Sequence, residues 1–248
     1  MPSVKNLNTV RAIWQPMRQS NGNFGYMIDL TQLPPAEMAR HLGLPDGDVG
    51  LAVSERLNRV NGNITAEAYS RLGLGAGMRV LEIGFGNGHL LPDLLRHSPD
   101  LLYIGIDISP TMVDEARRFN ATLVNAGQAA FHLADAARIP AANASLDRVF
   151  AINVIYFWSD PVVPLREIRR VLRPSGVSLI TAVTPETVAG NETFRVESGF
   201  HARDANMLVA LHRQAGFGEV RTELVTEVAS RVEGTPWTRH YNFLHARP

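Results

Sequence analysis

Between about Leu72 and Gly218 the chain alternates short apolar runs with segments of helical periodicity. The runs near 79–83, 102–106, 129–133, 148–153 and 177–183 carry little polar interruption, as suits strands buried on both faces of a parallel sheet. Between them, His89 to Arg96 and Pro110 to Phe119 read as helices, and Pro164 to Leu172 places Leu165, Ile168 and Leu172 at helical spacing. Arg173-Pro174-Ser175-Gly176 is expected to break that helix and turn into the fifth strand. A helix over Asn206 to Ala215 and closing strands over Glu219 to Val228 and Arg239 to Ala246 complete the pattern. Strands alternating with helices predict an α/β fold with a doubly wound, mostly parallel seven-stranded sheet. Residues 1–71 differ in texture, with Pro34-Pro35, Pro45 and the polar turns Asn21-Gly22-Asn23 and Asn61-Gly62-Asn63. Helical segments at Pro35 to Leu42 and Val49 to Val60 are expected to alternate there with loops. The expected division is an N-terminal helical cap over 1–71 and a main domain over 72–248, with an insertion near 184–205.

The first strand ends in Val-Leu-Glu-Ile-Gly-Phe-Gly-Asn-Gly, residues 80–88. Gly84, Gly86 and Gly88 suit a sharp turn that lets backbone touch a small molecule, because glycine alone takes positive φ without steric cost. The dinucleotide fingerprint requires a glycine at the sixth position from Gly84, where this chain has His89. The second strand ends at Asp107 and the third at Asp135. An acid at the second tip can accept from both hydroxyls of a ribose, and one at the third can accept from an exocyclic adenine amine. Three consecutive strand tips thus carry a glycine loop, an acid and an acid.

In these motifs the chain resembles the class I S-adenosylmethionine (SAM)-dependent methyltransferases, specifically the small-molecule group that includes quinone-biosynthesis methyltransferase-like enzymes. The resemblance runs from Tyr69 to Phe217. Besides residues 80–88 it rests on Gly-Ile-Asp-Ile-Ser (105–109) with Met112, Ala-Asp-Ala (134–136) and Leu-Asp-Arg-Val-Phe-Ala-Ile-Asn-Val-Ile-Tyr-Phe-Trp (146–158). Leu-Arg-Glu-Ile-Arg-Arg-Val-Leu-Arg-Pro-Ser-Gly (165–176) and Ala-Gly-Phe (215–217) follow in the family's order. The resemblance implies a Rossmann-like methyltransferase fold with one antiparallel closing strand, a cap that covers the cofactor, and SAM as that cofactor. It puts Glu82 near the ammonium of SAM and Asn153 near its methionine part and sulfonium.

The remaining site expectations follow. Backbone amides at Phe85 to Gly88, if they open the next helix, suit the methionine carboxylate, since helix N-termini favour anions. Ile108 and Met112 are candidates for the adenine face, with Ala136 beside Asp135. Tyr156, Phe157 and Trp158 offer aromatic faces to a sulfonium, and core packing explains them equally well. Tyr156, His201 and, in the cap, Tyr26 are the candidates for contacting or deprotonating an acceptor. The reaction implied is methyl transfer to N, O or C of a small-molecule acceptor. An enzyme that consumes SAM by intramolecular displacement and a noncatalytic SAM-binding module are the alternatives. A nicotinamide-dependent oxidoreductase is disfavoured by His89 and by the lack of a Tyr-x-x-x-Lys pair.

Composition removes other classes. The chain has 248 residues and no cysteine, which excludes disulfides, thiolate-ligated metals and radical SAM chemistry. Its eight histidines show no His-Glu-x-x-His spacing, so no metal is expected. Twenty-four basic residues balance twenty-four acidic ones, leaving no excess charge for a nucleic-acid partner. No apolar run approaches a membrane span and the first residues do not read as a secretory signal, so a cytoplasmic protein is expected.

Overall fold

The computed structural model describes residues 14–18, 24–230 and 236–248. Its centre is one seven-stranded sheet built from β3 (Arg79–Ile83), β4 (Leu102–Asp107), β5 (Ala129–Leu133), β6 (Leu146–Ile152), β7 (Leu172–Val183), β8 (Glu219–Ser230) and β9 (Pro236–Arg247). The spatial order is β5-β4-β3-β6-β7-β9-β8. β3 pairs in parallel with β4 and β6, β4 with β5, and β6 with β7, while β9 runs antiparallel to both β7 and β8. The order reverses at β3, and the crevice above such a switch point is where doubly wound sheets bind ligands.

Helices cover both faces: α1 (Pro35–Gly43), α2 (Gly47–Arg71), α3 (Leu91–Leu95), α4 (Pro110–Phe119), α5 (Ala121–Asn125), α6 (Val162–Val171), α7 (Pro185–Val188) and α8 (Ala205–Gln214). α4 starts as its sequence dictates, with the Ser109 hydroxyl accepting from Met112 N at 3.1 Å and Pro110 in the first turn. α6 buries Leu165, Ile168 and Val171 on one face, against the core that also holds Val149, Phe150 and Leu179 from the sheet.

Three local expectations give way. The N-terminal segment is not only helix and loop, because β1 (Trp14–Arg18) and β2 (Phe24–Ile28) pair antiparallel ahead of α1. The Asn21-Gly22-Asn23 turn lies outside the described residues, as does the side chain of Tyr26. The Asn61-Gly62-Asn63 turn is absent, since α2 runs unbroken for 25 residues through it. The cost of a helical glycine is about 1 kcal/mol. It is outweighed by burial further along the same helix, where Ile64 and Ala68 are fully inside the main core and Tyr69 nearly so. Finally, Arg173 to Gly176 do not form a separate turn. Leu146 pairs with Leu172 and Arg148 with Val177, so these residues bulge out of a strand that begins where α6 ends.

β8 and β9 outrun the sheet. β7 pairs with β9 only from Ser178↔Ala246 to Val183↔Tyr241, whereas the outer hairpin continues from Thr226↔His240 to Ser230↔Pro236. This overhang projects past the carboxyl end of β7 toward α2. Arg239 ties it there by donating to Val60 O at 2.5 Å, while within the sheet Arg71 of α2 donates to both Glu223 oxygens of β8 at 3.1 and 2.9 Å.

A Cβ on Gly62 would meet nothing within 4 Å. Gly62→Ala is therefore expected to stabilise the protein by about 0.5–1 kcal/mol in denaturant unfolding. Destabilisation of similar size would show that the chain turns at this point after all.

Candidate active site

Above the carboxyl ends of the central strands lies a cavity of about 1030 Å³, bounded below by strand tips and above by α1, α2 and the β8–β9 overhang. The glycine loop forms part of its floor. Gly84, Gly86 and Gly88 all have positive φ, at 71°, 61° and 70°. Two of them are glycine for lack of room: a Cβ on Gly84 would meet Val154 Cγ2 at 2.6 Å, and one on Gly88 would meet Ala116 Cβ at 2.7 Å. At Gly86 nothing lies within 4 Å, and the residue borders the cavity. Its missing side chain keeps space open for a ligand.

The loop does not run straight into a helix. α3 begins only at Leu91, because the left-handed residues at Gly86 and Gly88 interrupt any helical turn before it. The expected helix over 89–96 is thus five residues long, and the amides of Phe85 to Gly88 precede it instead of opening it. Two of these amides are also engaged: Gly86 N donates to Asp107 Oδ2 at 3.3 Å, and Gly88 N to Phe85 O at 3.3 Å. The Phe85 ring packs on Gly105 and meets Phe131 edge-on, 5.0 Å between centroids, leaving its main chain toward the cavity.

Glu82 and Asp107 give the site its electrostatics. Both are 8% exposed and both border the cavity. Burial pushes the Glu82 carboxyl up to about 7, against a 2.6 Å hydrogen bond from Tyr103 OH and with the nearby Asp107 adding to the rise. Burial raises Asp107 to about 6, opposed by backbone N–H groups of Ser109, Gly86 and Ile108. Two neighbouring buried carboxyls at a cavity floor favour a ligand that brings positive charge and hydroxyl donors. Ile108, beside them and half exposed, offers that ligand an apolar face.

Asp135 also borders the cavity, with Ala136 next to it, but its Oδ1 accepts from Ala137 N at 2.8 Å and so caps a short 3-10 turn. Its second oxygen is the one left for a ligand. Met112 does not reach the cavity. It is fully buried on the inner face of α4, so the adenine-face reading gives way to core packing. Asn153 borders the cavity in the left-handed region, φ 59°, fixed by its N–H to Thr181 O at 3.1 Å. Asparagine tolerates that conformation better than most residues.

The two catalytic candidates separate. Tyr156 borders the cavity, but burial holds its phenol well above the ordinary value, which fits a wall and not a base. His201 is not among the residues that line the cavity. Its N–H donates to Tyr156 O at 2.8 Å, and it is the preceding residue, Phe200, whose ring stacks on Tyr156 at 4.0 Å. The turn carrying Tyr156 is anchored by Arg203, which donates to Ile155 O at 3.2 Å and to Trp158 O at 3.0 Å.

Other lining residues were not anticipated. Ser54, Asn58, Asn61 and Thr65 border the cavity from α2. Their spacing of four, three and four forms a polar stripe on one helical face, a signal hidden by the turn expected at Asn61. Asn58 Nδ2 donates to Asn87 Oδ1 at 3.0 Å and Asn87 Nδ2 to Ser54 Oγ at 3.2 Å, which ties α2 to the glycine loop. Trp237 and Arg239 border the cavity from the overhang, and Tyr241 from β9 where the overhang leaves β7. Among the described residues no cluster of potential metal ligands occurs.

Residues 81–180 match the family model described as a methyltransferase domain. An O-methyltransferase of Pyrenophora dematioidea is 31% identical over 172 residues, 66% of this chain and 63% of that protein. The O-methyltransferase resE of Aspergillus sclerotiorum is 32% identical over 111 residues, 45% of this chain and 42% of that protein. This chain therefore matches less than two thirds of either relative's length. Among solved structures, the methyltransferase in complex with the Haloferax volcanii Trm112 activator has a similar fold, with a TM-score of 0.66, 21% identity, and coverage of 78% of this chain and 92% of that one.

The Glu82 shift makes stability depend on pH. Its folded value of about 7 lies above the unfolded 4.5, so its contribution is fully present below pH 4.5 and is lost as pH rises through 7. At pH 8, Glu82→Gln is expected to stabilise the ligand-free protein by up to ~3 kcal/mol and to flatten thermal stability between pH 5 and 8. An unchanged pH profile would show that this carboxyl is solvated.

Proposed function

We propose that this chain, which carries a class I SAM-dependent methyltransferase domain, moves the methyl group of SAM to an oxygen of a small-molecule acceptor. One observation carries the reading: the glycine loop, Asp107 and Asp135 sit on three successive strand tips and border a single cavity. The residues present fit SAM. Glu82 and Asp107 supply the negative floor, Gly86 leaves ligand space at the loop, and Ile108 gives an exposed apolar face.

Bound there, SAM would supply an electrophilic methyl group for an acceptor oxygen, whose proton would leave to water. What the chain contributes is arrangement. Asp107 would accept the ribose hydroxyls, its Oδ1 and Oδ2 being oriented by Ser109 N at 2.9 Å and Gly86 N at 3.3 Å. Glu82, held by Tyr103, would meet the ammonium, and Asn153 with the main chain around it would hold the methionine part. Asp135 and Ala136 would take the adenine edge. Holding two reactants aligned in a water-poor site supplies much of the rate such transfers need.

Oxygen is favoured as the acceptor atom by the two relatives named O-methyltransferases. Residues 1–71 act in this reading as the cap over SAM, 72–248 as the catalytic domain, and the 184–205 insertion as part of the acceptor wall. No helix among the described residues is long and apolar enough to cross a membrane, and a small acceptor in the cytoplasm fits the balanced charge.

Calorimetry with SAM, S-adenosylhomocysteine (SAH) and NADH, followed by mass analysis of products from labelled SAM, tests the proposal. Binding of SAM and SAH but not NADH is expected, with label in an acceptor. Asp107→Ala should weaken SAH binding by about a hundredfold while the protein stays folded, the scale of losing hydrogen bonds to a charged group. Gly86→Val should abolish SAH binding. A folded Asp107→Ala protein with unchanged affinity would remove the ribose assignment, and intact binding by Gly86→Val would remove the loop assignment.

A further inference from the structure

Beyond the strand tips the cavity wall becomes aromatic, and its rings come from distant parts of the chain. Tyr156 and Phe157 stand on the turn after β6, Phe194 and Phe200 on the 184–205 insertion, and Trp237 and Tyr241 on β9. The first four form one packed group. Tyr156 stacks on Phe200 at 4.0 Å and meets Phe157 edge-on at 4.9 Å, and Phe194 lies 4.9 Å from Phe200.

The other two rings share a cation. The Arg239 guanidinium lies over Trp237 at 5.5 Å and over Tyr241 at 5.7 Å from the ring centroids. Arg239 is only 5% exposed, and three elements hold it: it stands on β9, pairs with Glu227 of β8 at 2.7 Å, and donates to Val60 O of α2 at 2.5 Å. Its Nη2 makes both the ion pair and the Val60 contact, which holds this buried guanidinium between β8 and α2. The two rings it contacts flank a cation that is itself tied to α2. A cation on one ring face also draws π density toward itself. The rest of each ring is then less negative, and prefers an electron-rich ring or an anionic oxygen as its neighbour.

Size agrees. Sites for one small molecule occupy roughly 300–1,000 Å³, and this cavity, at about 1030 Å³, lies at the top of that range with both a cofactor floor and an aromatic wall to fill. We propose that the acceptor is a flat, oxygen-bearing aromatic molecule of the phenol class, received between these rings, and that Arg239 is the positioning residue of the acceptor wall. The proposal rests on the methyltransferase reading. A phenol enters as a nucleophile once its proton leaves to solvent, and its ring carries the electron density that the wall selects.

The test uses the full chain loaded with SAH, titrated with 2-naphthol and with 2-decalol, a saturated alcohol of like size. The wild-type complex is expected to bind 2-naphthol at least about tenfold more tightly than 2-decalol, a difference of about 1.4 kcal/mol. Arg239→Met should weaken 2-naphthol binding about tenfold while SAH affinity stays within about twofold, and Arg239→Lys should restore part of the loss. If Arg239→Met does not fold, Trp237→Leu carries the same expectation. Equal affinity for the two alcohols would overturn the acceptor class. Loss of SAH and 2-naphthol binding in parallel in the variants, or of neither, would overturn the positioning role. A wild-type protein that ignores SAH would overturn the methyltransferase reading and this proposal with it, whereas SAH binding without 2-naphthol binding would overturn this proposal alone.

Discussion

Two carboxyl groups buried side by side at the floor of a cavity set the terms for the rest of the molecule. Glu82 and Asp107 end adjacent parallel strands and face the same space, where burial resists their ionisation. Nothing in the fold requires acids there; apolar residues would cost less. The arrangement becomes favourable when a cationic, hydroxyl-bearing ligand arrives, and the surrounding hydrogen bonds from Tyr103, Ser109 and Gly86 hold the carboxyl groups ready for it. The free protein thus carries an electrostatic cost that a bound cofactor would relieve.

The two halves of the cavity are built differently. The cofactor half is made locally: each strand tip presents a residue three or fewer positions beyond a buried run, so backbone geometry alone delivers it. The opposite wall is assembled from α2, the 184–205 segment and the β8–β9 hairpin, and it depends on long-range ties. Arg239 to Val60, Arg71 to Glu223 and Asn58 to Asn87 are three such ties, each joining α2 to a distant element. The polar stripe of Ser54, Asn58, Asn61 and Thr65 along α2 faces the same cavity.

That difference explains what was legible in the sequence. Strand periodicity located β3 to β7 closely, and the glycine loop with its two acids could be read because each occupies a strand tip. Where tertiary burial overrides local chemistry, the reading failed. Asn61-Gly62-Asn63 has the composition of a turn, yet Ile64 and Tyr69 pull it into α2. Arg173 to Gly176 carry breaker residues, yet pairing on both sides keeps them within β7 as a bulge. Met112 and His201 are residue types that suit a site, but α4 turns the first into the core and the insertion brings Phe200, not His201, to the wall. Arg239 was invisible because the partners that hold it, Val60 and Glu227, are far away along the chain.

The most direct test of the account is the proton balance of cofactor binding. Calorimetric titration with SAM at pH 6.5, repeated in buffers of different ionisation enthalpy, counts protons exchanged on binding. If Glu82 and Asp107 are partly protonated in the free protein and meet the ammonium and ribose of SAM, binding must expel protons into the buffer, less so at pH 8 and less so for Glu82→Gln. Binding with no net proton release at pH 6.5, or release that persists in the Glu82→Gln protein at full size, would contradict it.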